Sequence, residues 1–159
     1  MKLTNTTHLP DHVVRAALRF VMPPGVTNAR VILKPCEYGT VNGYAHIGQN
    51  TVMLKVGRQR VLYKVRFNGE VKRLCWLYPS TRFVYQYGQL KGRRYWLANE
   101  VECLVYLAAH ELRHLWQDKT TARRRAGMAF GSRGRFSEID AESYSIRKLR
   151  AWRKQNLKK

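Results

Sequence analysis

The stretch Asn99-Glu100-Val101-Glu102-Cys103-Leu104-Val105-Tyr106-Leu107-Ala108-Ala109-His110-Glu111-Leu112-Arg113-His114-Leu115-Trp116 decides how this chain folds. It opens on Asn99, a good helix N-cap, with Glu102 three residues on as in a capping box. On a helical wheel, Cys103, Tyr106, Leu107, His110 and His114 gather on one side, with Glu111 at its edge. Val101, Val105, Ala108, Leu112 and Leu115 take the opposite side, and Glu102, Ala109 and Arg113 fall on a narrow strip between. The pattern predicts a helix packed at the back, bearing polar chemistry in front, and buried between layers.

Inside it, His110-Glu111-Leu112-Arg113-His114 reads H-E-x-x-H. Residues four apart on a helix stand one above the other. Both imidazoles can therefore point at one metal ion, with Glu111 beside them. With five His and seven Glu in 159 residues, shuffling yields this pattern in roughly 0.5% of chains, so a chance match is rare. The plain alternative is a pair of buried, hydrogen-bonded helix histidines with Glu111 as a surface charge. Cys103 lies seven residues before His110, about 10 Å along the axis, and is too far to join the same coordination sphere.

The acids of the chain add weight to a cation site. Glu100, Glu102 and Glu111 lie around the motif, and Glu138, Asp140 and Glu142 form a second cluster, so six of ten acids fall in two short segments. Between the clusters, Lys119 to Arg135 holds six basic residues and no acid, and seven basic residues follow Glu142. Acids such as Glu138 and Asp140 also suit a helix N-terminus without any metal. Catalytic zinc takes three protein ligands and keeps one position open. His110 and His114 supply two, and the downstream acids are the source of the third, with Glu138, Asp140 and Glu142 all candidates. One Zn2+ ion lowers the pKa of its bound water toward ~7. Glu111 would take the proton as that water attacks a peptide carbonyl, and pass it to the leaving amine. Tyr106 and Tyr144 are placed by sequence position to assist the oxyanion.

Ala109-His110-Glu111-Leu112-Arg113-His114, followed by Glu138-Ile139-Asp140-Ala141-Glu142-Ser143-Tyr144, resembles the gluzincin metallopeptidases. It looks closest to the group related to the ImmA/IrrE regulatory proteases, whose second motif runs roughly E-x-E-A-N-x-F-A. The resemblance covers about a third of the chain, from Leu97 to Trp152. It implies a zincin-like fold, with His110, His114 and Glu138 as metal ligands, Glu111 as general base, and Glu142 orienting a ligand histidine. The chain departs from that pattern in three ways: Arg113 stands where Gly is common, Glu142 is longer than the usual Asn or Asp, and no helix-turn-helix region is visible. SprT-like proteases, which act on DNA-bound proteins, share H-E-x-x-H and a basic character. Their third ligand is usually His, and no His follows His114 here.

Outward from the motif, 159 residues with 45% hydrophobic content suit one folded domain. A first helix is expected from about Pro10 to Val21, stopped by Met22-Pro23-Pro24-Gly25. These form an N-terminal helix and connector over 1–25. A strand-rich half follows over 26–97, then the motif helix over 98–118, a basic loop over 119–136 and a C-terminal helix over 137–156, with Ser137 to Asp140 as its capping box. In the strand-rich half, Ala29 to Lys34 and Thr51 to Val56 read as strands around a Gly-punctuated loop, Tyr38 to Gly48. Thr51 to Val56 is expected at a sheet edge, where it would hold an extended peptide by strand addition. Asn68-Gly69 centres a type I′ hairpin that pairs Phe67 with Glu70, Val65 with Lys72, Tyr63 with Leu74 and Val61 with Trp76. Arg82 to Tyr87 is a further strand, with Phe83, Tyr85 and Tyr87 on a common side that is either core or a base-stacking platform. The expected class is α+β, with a twisted, mostly antiparallel sheet packed on the motif helix.

The charge bounds the partners. Thirty Lys and Arg against ten acids leave a net +20, which favours polyanions such as nucleic acid. Lys64, Arg66 and Arg73 would share the solvent face of the hairpin and are its candidate contacts. A basic nucleic-acid-binding protein with a structural or vestigial metal site is therefore the alternative function. A protease acting on DNA-bound proteins would combine both, and docking on an acidic protein is a third use of the charge. Three cysteines without a C-x-x-C pair fit a reducing compartment. The N-terminus has no apolar segment of signal-peptide length, and no apolar run is long enough to span a membrane. A cytoplasmic hydrolase acting on protein or peptide is the expectation.

Overall fold

The computed structural model describes residues 1–35, 43–56, 63–67, 70–74, 84–86, 89–91, 99–119 and 135–156, with side chains placed in 1–35, 43–56, 99–119 and 140–156. The class is α+β. The chain starts with strand β1 (Lys2–Asn5), helix α1 (Asp11–Val21) and strand β2 (Arg30–Lys34). β1 and β2 are parallel neighbours, so α1 is the crossover of a βαβ unit. Pro10 stands at the N-cap of α1, and Val14, Ala17, Leu18 and Val21 bury its apolar stripe. Strands β3 (Gly43–His46) and β4 (Thr51–Lys55) follow as a hairpin. Its turn closes on Asn50, which adopts φ 48° after a short 3₁₀ segment, a conformation that asparagine tolerates well.

The four strands form one mixed sheet in the order β1-β2-β4-β3. β1, β2 and β4 run parallel, and only β3 is antiparallel. The expectation of a mostly antiparallel sheet therefore fails for this central sheet. Lys2–Asn5 is too short and polar to announce a strand, yet its pairing with β2 through α1 makes the layer parallel. The expected edge strand is also corrected. β4 lies between β2 and β3, so both of its hydrogen-bonding edges are paired, and Thr51 and Val52 are buried. Among the described strands the edges are β1 and, beside β4, β3, which lies in the segment expected to be a loop. Its sequence, Gly-Tyr-Ala-His, carries no β-branched residue to mark it.

Strands β5 (Tyr63–Phe67) and β6 (Glu70–Leu74) pair antiparallel in the expected register, with Phe67 opposite Glu70 and Tyr63 opposite Leu74. The further pair of Val61 with Trp76 lies outside the described residues. Strand β7 (Val84–Gln86) falls within the expected Arg82 to Tyr87 and pairs with β8 (Gln89–Lys91), which the sequence reading lacked. Phe83 and Tyr87 lie outside the described residues.

Helix α2 (Glu100–Lys119) is the centre of the domain. The backbone N–H of Glu102 donates to Asn99 Oδ1 at 2.9 Å, so Asn99 is the N-cap. The Glu102 carboxylate takes a two-pronged bond from Arg153, 2.9 Å from Nε and 2.6 Å from Nη2. That side-chain bond leads the causes that raise the Arg153 pKa. Helix α3 (Arg135–Asn156) runs along α2, while α1, β3 and β4 pack on other parts of it. α3 starts two residues before Ser137, so that residue lies inside the helix and is not its cap. Leu104, Leu112 and Leu115 of α2 share one core with Val31, Leu33, Val52 and Leu54 of the sheet and with Leu149 of α3. The end of α1 is tied to α3: Tyr144 donates its hydroxyl to Val21 O at 2.8 Å, and Lys148 Nζ donates to Phe20 O at 2.9 Å. These bonds satisfy carbonyls that a helix C-terminus leaves without intrahelical donors. Burial holds the Lys148 ammonium below its ordinary pKa. No helix among the described residues is long and apolar enough to cross a membrane.

Candidate metal centre

α2 brings its two motif histidines together one turn apart. The Nε2 atoms of His110 and His114 stand 3.1 Å from each other, with the rings nearly perpendicular at 80°. Each ring has an oxygen behind it. His110 Nδ1 lies 3.6 Å from the Glu142 carboxylate, and His114 Nδ1 lies 3.0 Å from Gln117 Oε1. An amide oxygen only accepts hydrogen bonds, so the proton of a neutral His114 ring belongs on Nδ1, whereas Glu142 lies beyond hydrogen-bond distance of His110 Nδ1 and does not fix the tautomer of that ring. The 3.1 Å separation suits either a hydrogen bond from one Nε2–H to the other ring or a cation held between the two nitrogens. Two imidazoles bound to one tetrahedral zinc at ~2.0–2.1 Å have their nitrogens about 3.3 Å apart. The spacing of these two nitrogens matches that of two such ligands.

The groups behind the rings are themselves held. The Tyr106 hydroxyl lies 2.5 Å from each oxygen of Glu142 and donates to that carboxylate, which is buried. Asp140 accepts from Arg113 Nε at 2.6 Å, from Arg113 Nη2 at 3.0 Å and from Gln117 Nε2 at 2.9 Å. Burial pushes the Asp140 carboxyl up, but the bonds from Arg113 and Gln117 and the charges of Arg113 and Arg147 outweigh it, so its pKa falls below the ordinary value. The Arg113 guanidinium also stacks 3.5 Å from the centre of the Trp116 ring. Arg113 thus bridges α2 to Asp140 on α3.

Glu111 reaches the sheet edge at β3. It is 7% exposed, and a Cβ at Gly43 of β3 would stand 3.1 Å from both its Cγ and its Oε1. Gly43 is what lets the edge strand approach the carboxylate this closely. Both histidines and Glu111 thus lie on α2 between β3 and α3.

The remaining candidates sort by position. Glu142 and Asp140 stand on the Nδ1 side of the histidines, behind the rings rather than between them, so neither is placed as the third ligand. The Tyr106 hydroxyl is turned to Glu142, and that of Tyr144 to the end of α1. Both hydroxyls thus have partners outside the histidine pair. Burial raises the Tyr144 pKa, against the charges of Arg113 and Arg147. Glu138 lies on α3, four residues or one helical turn before Glu142. Its side chain lies outside the described residues, as do those of Lys64, Arg66 and Arg73. Among the described residues, no three His, Cys, Asp or Glu side chains form a metal-holding group. Two residues that sequence reasoning missed matter here. Gln117 is three residues beyond His114, a spacing that makes side chains neighbours on a helix. Gly43 had no signal beyond being one glycine in a Gly-rich segment.

No family model, characterised protein or solved structure matches the chain.

Proposed function

We propose that this chain is a zinc-dependent metallopeptidase with a zincin-like arrangement. The observation that carries the reading is the His110–His114 pair, with Nε2 atoms 3.1 Å apart, Gln117 Oε1 at 3.0 Å from one Nδ1 and the Glu142 carboxylate 3.6 Å from the other. His110 and His114 would hold the ion, with Glu138 as the third ligand from α3. Zinc at such a site supplies a Lewis acid for the substrate carbonyl and makes water acidic enough to attack near neutral pH.

The chain's own residues do the rest. Glu111 accepts the proton of the attacking water and returns it to the leaving amine, a transfer that needs a carboxylate within hydrogen-bond reach of both. β3 is an edge strand beside Glu111, so an extended peptide added to it by backbone pairing would run past the carboxylate. Glu142 and Tyr106 hold His110 in orientation, as groups behind a ligand histidine do. Cleavage of an unfolded protein substrate should stop on treatment with a zinc chelator and return when zinc is restored. Cleavage that ignores both treatments rules the reading out.

A second reading, nucleic-acid contact, draws on the net +20 charge and on the hairpin register, which sets Lys64 opposite Arg73 with Arg66 two residues along. It is compatible with the first, since a basic surface would bring a protease to proteins bound on nucleic acid.

A further inference from the structure

The connection between α2 and α3 behind His114 is a continuous chain of polar contacts with one direction built into it. Asp140 receives Arg113 in a forked ion pair, a charge-assisted arrangement that holds it as a carboxylate. A carboxylate has no proton to give, so the Gln117 group 2.9 Å from Asp140 Oδ2 is the NH2 end of the amide. The other end of the amide, Oε1, then faces His114 Nδ1 at 3.0 Å, and it can only accept. An isolated glutamine amide could flip and offer either end to the ring. Here the flip would set a carbonyl oxygen against a carboxylate, and an NH2 group against the ring nitrogen.

We infer that Arg113, Asp140 and Gln117 form a relay across the α2–α3 interface that fixes His114 with its proton on Nδ1, presenting the Nε2 lone pair before any metal arrives. The purpose of the relay rests on the metal reading proposed above, but its geometry does not. Gln117 and Asp140 are positioning residues, since they act on the site only through His114. The relay also accounts for three residues at once: the arginine inside H-E-x-x-H, the acid that is not placed as a ligand, and the glutamine three residues beyond the motif. Because Asp140 sits on the helix that carries Glu138 and Glu142, docking of α3 sets the ring and brings up the remaining acids in one step.

The test is the ring's protonation pattern in the metal-free full chain, read by two-bond ¹H–¹⁵N NMR correlations at about pH 8, where unperturbed histidine is neutral. The wild type should show His114 with a protonated Nδ1. Gln117→Leu should shift it toward the Nε2–H form that free histidine favours, and should weaken zinc binding by about 10–100-fold, as loss of such a partner does. Gln117→Met, of similar length but with no amide, should act in the same way and separates the loss of the bond from a loss of packing. A purely structural tie between the helices would lower thermal stability in Gln117→Leu without moving the ring proton. A wild-type His114 carrying its proton on Nε2 overturns the relay, whether or not the variants fold. Zinc uptake alongside that result would leave the metal reading standing. An Nδ1–H ring in a chain that takes up no zinc would do the reverse.

Discussion

If the chain is the zinc peptidase proposed above, Glu111→Gln should lower peptide hydrolysis by about 10²–10⁴-fold, the range lost when a general base is removed, and should leave zinc binding intact. The substitution is chosen for its shape. Glutamine has the volume of glutamate, so the close contact between this side chain and Gly43 persists, and the buried position on α2 stays filled. What changes is proton affinity, because an amide does not take a proton from water near neutral pH. Steady-state rates together with metal analysis of the same preparation check it. An unchanged rate means that Glu111 is a buried structural acid and that the base is elsewhere.

His114→Ala acts on the ion itself. Structural zinc binding is worth ~10–16 kcal/mol over four ligands, so one ligand's share corresponds to roughly 10²–10³-fold in affinity. The readout is a thermal melt with and without added zinc. A ligand that binds only the folded state stabilises it by about 2.7 kcal/mol at a hundredfold excess over its Kd. The wild-type midpoint should rise with zinc, and that of His114→Ala should stay flat at the same zinc concentration. His110→Ala should behave alike, because the two Nε2 atoms face one point. A zinc response that survives both substitutions places any metal elsewhere.

The motif helix was legible because several signals agreed on it: an N-cap at Asn99, an apolar back at Leu112 and Leu115, and polar chemistry on the opposite side. The same holds for the hairpin at Asn68-Gly69, whose register follows from the turn. The parallel character of the main sheet was not legible. It depends on Lys2–Asn5, four residues with one apolar side chain, which become a strand only by pairing with β2. β3 was hidden for a related reason, since Gly43 and Ala45 have low strand propensity and owe their conformation to β4 and to the fit against Glu111. Within the site, composition and spacing singled out the histidines and the acids, but not which side of a histidine each acid would take. That division depends on the crossing of α2 and α3. The crossing puts Asp140 against Arg113 and Gln117, and Glu142 against Tyr106 and His110.

The most direct measurement of the central claim is zinc-edge X-ray absorption on the zinc-loaded protein. The account predicts two imidazole nitrogens at about 2.0–2.1 Å, a first shell completed by oxygen, and no sulfur. A sulfur shell at about 2.3 Å, fewer than two imidazoles, or no zinc retained after loading would contradict it.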